Sequence, residues 1–72
     1  MNKRIDFMPV YAALATLDEL ACSLSIGSNS THGTVFVFDH AQDAKIMMSA
    51  TIIDQAGANA AAGRIIRREW ES

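Results

Sequence analysis

Two histidines and the carboxylates around them are the residues of this chain best suited to binding a metal ion. His40 and Asp43 form one compact pair, and Asp39 and His32 lie nearby in sequence. A zinc site needs three or four ligands, usually supplied as paired short spacings. One pair falls short of that requirement, so we expect these residues to lie in a loop and a turn, and we predict no metal or other cofactor.

The residues that could act in catalysis also lack the surroundings that catalysis needs. A nucleophilic cysteine requires a base and an electropositive environment, whereas the charged neighbours of Cys22 in sequence are Asp18 and Glu19. Adjacent residues of a helix diverge by roughly 100° and cannot share an acid–base site. We therefore predict that the protein is not an enzyme. A single cysteine also excludes an intramolecular disulfide, which favours a reducing, cytoplasmic location.

Arginines and a tryptophan near the C-terminus could instead contact a partner. Arg64, Arg67 and Arg68 have the spacing of one helix face, and Trp70 follows them. A basic face beside an aromatic ring can hold phosphate or stack on a base, but three arginines are few for a nucleic-acid footprint. Arginine and tryptophan also dominate protein–protein hot spots. We predict a partner-binding surface at Arg64, Arg67, Arg68 and Trp70, with a protein favoured over nucleic acid; a solvated face is the alternative.

The segment Ala56–Gly63, which precedes these arginines, is built almost entirely of small residues. Thr51 and Asp54 have the spacing of a helix start. Small residues at helical spacing allow another backbone to approach closely, so we expect tight packing here. The predicted buried stripe consists of Ile52, Ala56, Ala60, Gly63, Ile66 and Trp70.

Length and composition indicate one small domain over residues 1–72 that is stabilised by association. The chain has 72 residues, of which 50% are hydrophobic and 19% charged, with a formal net charge of −2. A domain of this size buries only roughly 60% of the surface of its unfolded chain. No run approaches the roughly 20 apolar residues that cross a bilayer, and we predict no signal peptide. We expect a homodimer or a larger protein partner, and no membrane.

Hydrophobic spacing predicts the first elements. Residues 4–8 alternate like a short strand, and Pro9 suits the first turn of a helix. Apolar residues at steps of three and four then predict a helix over 9–25. A polar loop at 27–33 precedes a β-branched and aromatic strand at 34–38.

That strand is apolar on both of its faces. Its central side chains are Val35, Phe36, Val37 and Phe38. An edge strand of this kind tends to pair with its own copy or with a partner. We therefore predict that these four residues mediate self-association.

Residues 39–50 fit two interpretations. Asp39 with Gln42 could cap a single helix over 40–69. Alternatively, 45–49 forms a second strand and Thr51 caps a shorter helix, which is the interpretation we favour. The predicted fold is accordingly α+β, with two helices packed on a small two- or three-stranded sheet. A mainly α helical hairpin with one short strand is the alternative.

The predicted order of elements resembles the DinI-like modulators of RecA. The local similarities are Arg4–Phe7 at the start, Ser49–Thr51 before the last helix and Trp70–Glu71 at its end. The resemblance implies the same α+β fold and a role beside RecA. The last helix of that family is strongly acidic, whereas this one carries arginines over 64–68 and is about one turn longer.

Together these features predict a small non-enzymatic interaction protein. We expect a regulator or inhibitor that binds and occludes a surface of a larger host protein, as is common among phage and mobile-element proteins. The alternative is a DNA-linked module, either a RecA modulator or a weak nucleic-acid binder that uses the C-terminal arginines.

Overall fold

A computed structural model describes residues 4–71 of the protein as two helices and a three-stranded sheet. The elements are α1 (Met8–Leu14), β1 (Ala21–Ile26), β2 (Gly33–Asp39), β3 (Lys45–Ile52) and α2 (Gln55–Ile66). The strands are antiparallel in the order β1-β2-β3. The predicted α+β class, with two helices on a small sheet, is confirmed, and the helical-hairpin alternative is excluded.

The hydrophobic core lies between one face of the sheet and the two helices. Val35 and Val37 of β2 are fully buried, and so is Val10 of α1. The complete core consists of Ile5, Phe7, Val10, Ala13, Val35, Val37, Met48, Ile52, Ala58, Ala61, Ala62 and Ile65. Much of it is alanine, so the helices and the sheet come close together while burying little area per residue.

The predicted helix over 9–25 is wrong beyond Leu14. α1 ends there, and the last part of the predicted helix forms β1. The stretch 21–26 also alternates between two classes of side chain, so its sequence fits a period of two as well as helical spacing. Pairing with β2 decides between the two, since all six β1 residues have a β2 partner.

The predicted strand at 4–8 is also wrong, although its burial pattern is right. Residues 4–7 have no regular structure, yet Ile5 and Phe7 are buried and their neighbours are exposed. Single hydrogen bonds replace a ladder: Ile5 donates to the Ser30 carbonyl at 2.7 Å, and the Gln55 side chain bonds both backbone groups of Asp6 at 2.7 and 3.0 Å. These bonds fasten the segment to the β1–β2 loop and to α2.

The strand interpretation of residues 45–49 is confirmed, and a helix over 40–69 is excluded. β3 extends to Ile52, so Thr51 lies within a strand and does not cap α2. The cap is Asp54, whose Oδ1 accepts the Gly57 N–H at 2.7 Å. Asp39 and Gln42 cap only a short 3₁₀ turn, in which the Gln42 amide donates to Asp39 at 3.0 Å.

The buried face of α2 differs from the predicted stripe. Ala58, Ala61, Ala62 and Ile65 are buried. The predicted stripe is therefore wrong for Ala56, Ala60 and Ile66, which are exposed. Its other members are buried or partly buried: Ile52, which belongs to β3, Gly63 and Trp70. Close packing of the small-residue tract is confirmed, because α1 packs against α2 along the alanine face.

Candidate interaction surfaces

The face of the sheet opposite the helices has two aromatic rings at its centre. Val35 and Val37 point into the core, so Phe36 and Phe38 point to the other side of β2. Their rings stack with centroids 5.9 Å apart and an angle of 21° between their planes. Both side chains are partly exposed.

The register identifies the neighbours of these rings. Phe36 lies between Ser23 and Ser49, and Phe38 is paired with Ile46 on β3. Residues that oppose each other in an antiparallel sheet project to the same side. The outer face therefore consists of Ala21, Ser23, Ser25, Thr34, Phe36, Phe38, Ile46, Ser49 and Thr51.

The outer face carries no charged side chain. Ile46 is 54% exposed on it, and small hydroxyl residues surround the two rings. Both helices pack on the opposite side of the sheet. The result is a neutral surface with two aromatic rings at its centre and small hydroxyl residues around them.

The predicted self-association residues are divided between the two faces of β2. Because β2 is the central strand, the premise that it is an edge strand is wrong. Val35 and Val37 are fully buried in the core and cannot contact a partner. Phe36 and Phe38 remain accessible on the outer face. Self-association itself stays a prediction.

The C-terminal arginines do not form the single helix face that their spacing predicts. α2 ends at Ile66, and Arg68 adopts a left-handed conformation with φ of 50°. The Arg68 N–H donates to the Ile65 carbonyl and the Glu69 N–H to the Arg64 carbonyl, at 3.0 and 3.1 Å. This is a Schellman C-cap, in which the left-handed residue is usually glycine. Arg68 therefore lies beyond the helix.

Each of the three arginines is paired with a glutamate. Arg67 contacts Glu69 at 2.7 Å, and Arg64 approaches the same carboxylate at 3.8 Å. Arg68 bonds Glu19 from the α1–β1 connection and contacts Glu71 at 3.0 Å. The hydrogen bond from Arg68 lowers the pKa of Glu19, and the hydrogen bonds to Glu19 and Glu71 raise the pKa of Arg68. The local charge is therefore balanced.

Trp70 closes the core beneath these ion pairs. It is partly buried, and the Arg68 guanidinium lies 5.6 Å from its ring centroid. A β-bulge at Met47 of β3, opposite the step from Val37 to Phe38, shifts the register, so that consecutive Met47 and Met48 both pack toward the helices. A cavity of about 150 Å³ lies between them, lined by Met47, Met48, Arg64, Glu69 and Trp70. Ligand sites usually enclose about 300–1,000 Å³, so this cavity is small for one.

The residues that the sequence suggests for chemistry lie at separate places in the described part of the chain. No group of three potential metal ligands occurs among the described residues 4–71. The His32 ring lies against Gly27 and shares a hydrogen bond with Thr31 at 3.1 Å. Cys22 lies exposed on β1 instead of on a helix. Glu19 is held by Arg68.

Comparison with protein-family models, with curated proteins and with solved structures finds no match. The resemblance to the DinI-like RecA modulators therefore stays a prediction. Within residues 4–71, the structure contains no helix with the length and apolar character required to cross a bilayer.

The outer face is the feature that sequence reasoning missed. Its signal was present in the alternation of Thr34, Phe36 and Phe38 and of Ser23 and Ser25. Recognising it required knowing that 21–26 is a strand and that it pairs with β2. The predicted helix over 9–25 concealed both facts.

Proposed function

We propose that this protein is a non-enzymatic interaction protein, a regulator or inhibitor that binds and occludes a surface of a larger protein through its outer face. The observation that supports this is the stacked pair Phe36 and Phe38, at the centre of a sheet face that neither α1 nor α2 covers and whose strand residues carry no charge. Phage and mobile-element proteins of this size commonly act in this way.

The chemistry of the outer face restricts the kind of partner. A charged surface docked there would lose its hydration without gaining an opposite charge in return. Serine and threonine hydroxyls can both donate and accept hydrogen bonds. The partner surface is therefore neutral and apolar at its centre, with backbone or side-chain hydrogen-bonding groups at its edge.

The proposal includes a homodimer and a cytoplasmic location. The exposed, unpaired thiol of Cys22 supports the latter, because free surface thiols are typical of reducing compartments. The alternative of a DNA-linked module has less support. Arg64, Arg67 and Arg68 are all engaged by glutamates, which leaves little excess positive charge for phosphate.

The test compares two variants as affinity baits in a lysate of the native host. Phe36→Thr removes the ring but keeps a residue favoured in strands, and Arg67→Glu with Arg68→Glu reverses the C-terminal charge. We expect the first variant to lose the protein that wild type retains, and the second to keep it. Retention should also persist between about 50 and 200 mM salt, a range over which phosphate binding weakens steeply. The opposite pattern would favour the DNA-linked alternative.

A further inference from the structure

We infer that two copies of the protein associate through the free edge of β1, which joins the two sheets into one antiparallel sheet about a twofold axis. This inference rests on the proposed homodimer and identifies the edge that forms it. It leaves the outer face open for the larger partner.

β1 is an edge strand without the features that usually prevent pairing with another chain. Edge strands are normally protected by charged side chains, proline or a bulge. The sequence of β1 has no charge and no proline, and its six pairs with β2 run without a register shift. β3, at the other edge, begins with Lys45 and carries the bulge at Met47. β1 is therefore the edge better suited to pairing.

Hydrogen-bond alternation identifies the unpaired backbone groups of β1. The Gly27 N–H donates to the His32 carbonyl at 2.9 Å, and these two residues are the next opposed pair after the end of β1. In an antiparallel ladder, hydrogen-bonded and non-hydrogen-bonded pairs alternate. Counting back from Gly27, the residues whose N–H and C=O groups point to the open edge are Cys22, Leu24 and Ile26.

Symmetry then fixes the register. A twofold axis perpendicular to the sheet keeps the helices of both copies on one side, so residues of the same face oppose each other and one residue faces its own copy. Centring on Leu24 places Leu24 against its copy and Cys22 against Ile26 of the partner subunit. All three residues whose backbone groups point to the open edge then pair, with about six backbone hydrogen bonds in total. Centring one residue earlier would leave Ile26 unpaired.

The side chains of β1 agree with this arrangement. The helices pack mainly on each other and on β3, so Cys22 is exposed and Ile26 is 37% exposed, although both lie on the helix side. Pairing would cover them. No charged side chain of β1 would face its own copy, so the like-charge repulsion that weakens many cross-strand pairs is absent. A single strand pair makes an interface below about 1,200 Å², which is typical of weak association.

The native thiol provides a direct test of the register. Opposed residues in a hydrogen-bonded pair have Cα atoms about 5.5 Å apart, which suits a disulfide. The Ile26→Cys variant should therefore form a disulfide between Cys22 and position 26 of the partner subunit when oxidised glutathione is added. The two positions within one chain lie roughly 13 Å apart along the strand and cannot be bridged. Non-reducing electrophoresis should show a covalent dimer.

Ser25→Cys is the matched control, because position 25 projects to the opposite face from Cys22. Wild type should sediment as a 7.8 kDa monomer when dilute and as twice that mass at high micromolar concentration. A monomer at every concentration would overturn the inference. A dimer in which Ser25→Cys cross-links as readily as Ile26→Cys would overturn the β1 register. The Phe36→Thr bait tests the outer face, and sedimentation and cross-linking test the β1 edge. Each proposal can therefore fail without the other.

Discussion

At the scale of single residues, some residues adopt backbone conformations that lower the stability of the fold. Within residues 4–71, five residues other than glycine have positive φ, and Ala44 in the β2–β3 turn, with φ of 58°, is one of them. Its methyl group gains nothing from hydrogen bonding, unlike the side chains of asparagine or aspartate, which tolerate this region. The turn therefore stores a small amount of strain.

Ala44→Gly should stabilise the protein. A left-handed conformation costs an L-residue about 1–2 kcal/mol, part of which the extra chain entropy of glycine offsets. We expect a gain of about 1 kcal/mol, or roughly 4–8 °C in melting temperature. Ala41→Gly is the control, because Ala41 has no positive φ and the change should destabilise slightly. Equal effects of the two substitutions on thermal melting would contradict the argument.

The Glu19–Arg68 pair should make the stability of the fold depend on pH. The hydrogen bond from Arg68 lowers the pKa of Glu19 in the folded protein. A lowered folded-state pKa means that the pair stabilises the fold above the ordinary glutamate pKa, and that this contribution is lost as pH falls through the lowered value. In an NMR titration, the Glu19 carboxyl should titrate below the usual range, and Arg68→Ala should return it to that range. Unchanged titration in the variant would show that Arg68 is not the cause.

At the scale of elements, packing of α2 against α1 depends on the alanine face. Ala61 is 2% exposed within the core, whereas its neighbour Ala60 is exposed. Adding bulk to a well-packed contact typically costs about 1–3 kcal/mol. Ala61→Leu should therefore lower the free energy of unfolding by that amount, and Ala60→Leu should change it by less than about 0.5 kcal/mol. Chemical denaturation of both variants gives the comparison, and a larger loss from Ala60→Leu would restore the buried stripe predicted from sequence.

The elements differ in how well the sequence predicts them. The run Thr34–Phe38 is β-branched and aromatic throughout, so local preference and final structure agree for β2. The stretch 9–25 satisfies helical spacing, but its last residues also fit a strand, and only pairing with β2 settles which forms. The cap of α2 was predicted at Thr51, which instead pairs with Thr34 of β2, so Asp54 is the cap. Each error concerns a decision made by partners distant in sequence.

At the scale of the whole molecule, the sheet separates two environments. The inner side chains of β2 and β3 pack with two alanine-rich helices, and the outer face is neutral, aromatic at the centre and covered by neither of these helices. The C-terminal arginines, which the sequence favours as the binding surface, are paired with Glu19, Glu69 and Glu71. The sequence predicts an interaction protein that self-associates through Val35, Phe36, Val37 and Phe38, of which only Phe36 and Phe38 are accessible. It could not distinguish the outer face, because that face exists only once three strands are in register.

The central claim is that the outer face binds a larger protein, and the most direct test is the affinity of the captured partner for wild type and for Phe36→Thr. A central aromatic hot spot is worth about 2 kcal/mol or more. The dissociation constant measured by calorimetry should therefore rise about 30-fold or more, while circular dichroism and melting show that the fold is retained. Arg67→Glu with Arg68→Glu should leave the constant nearly unchanged. An unchanged constant for Phe36→Thr, with a large loss in the arginine variant, would contradict the account and move the binding surface to the C-terminal segment.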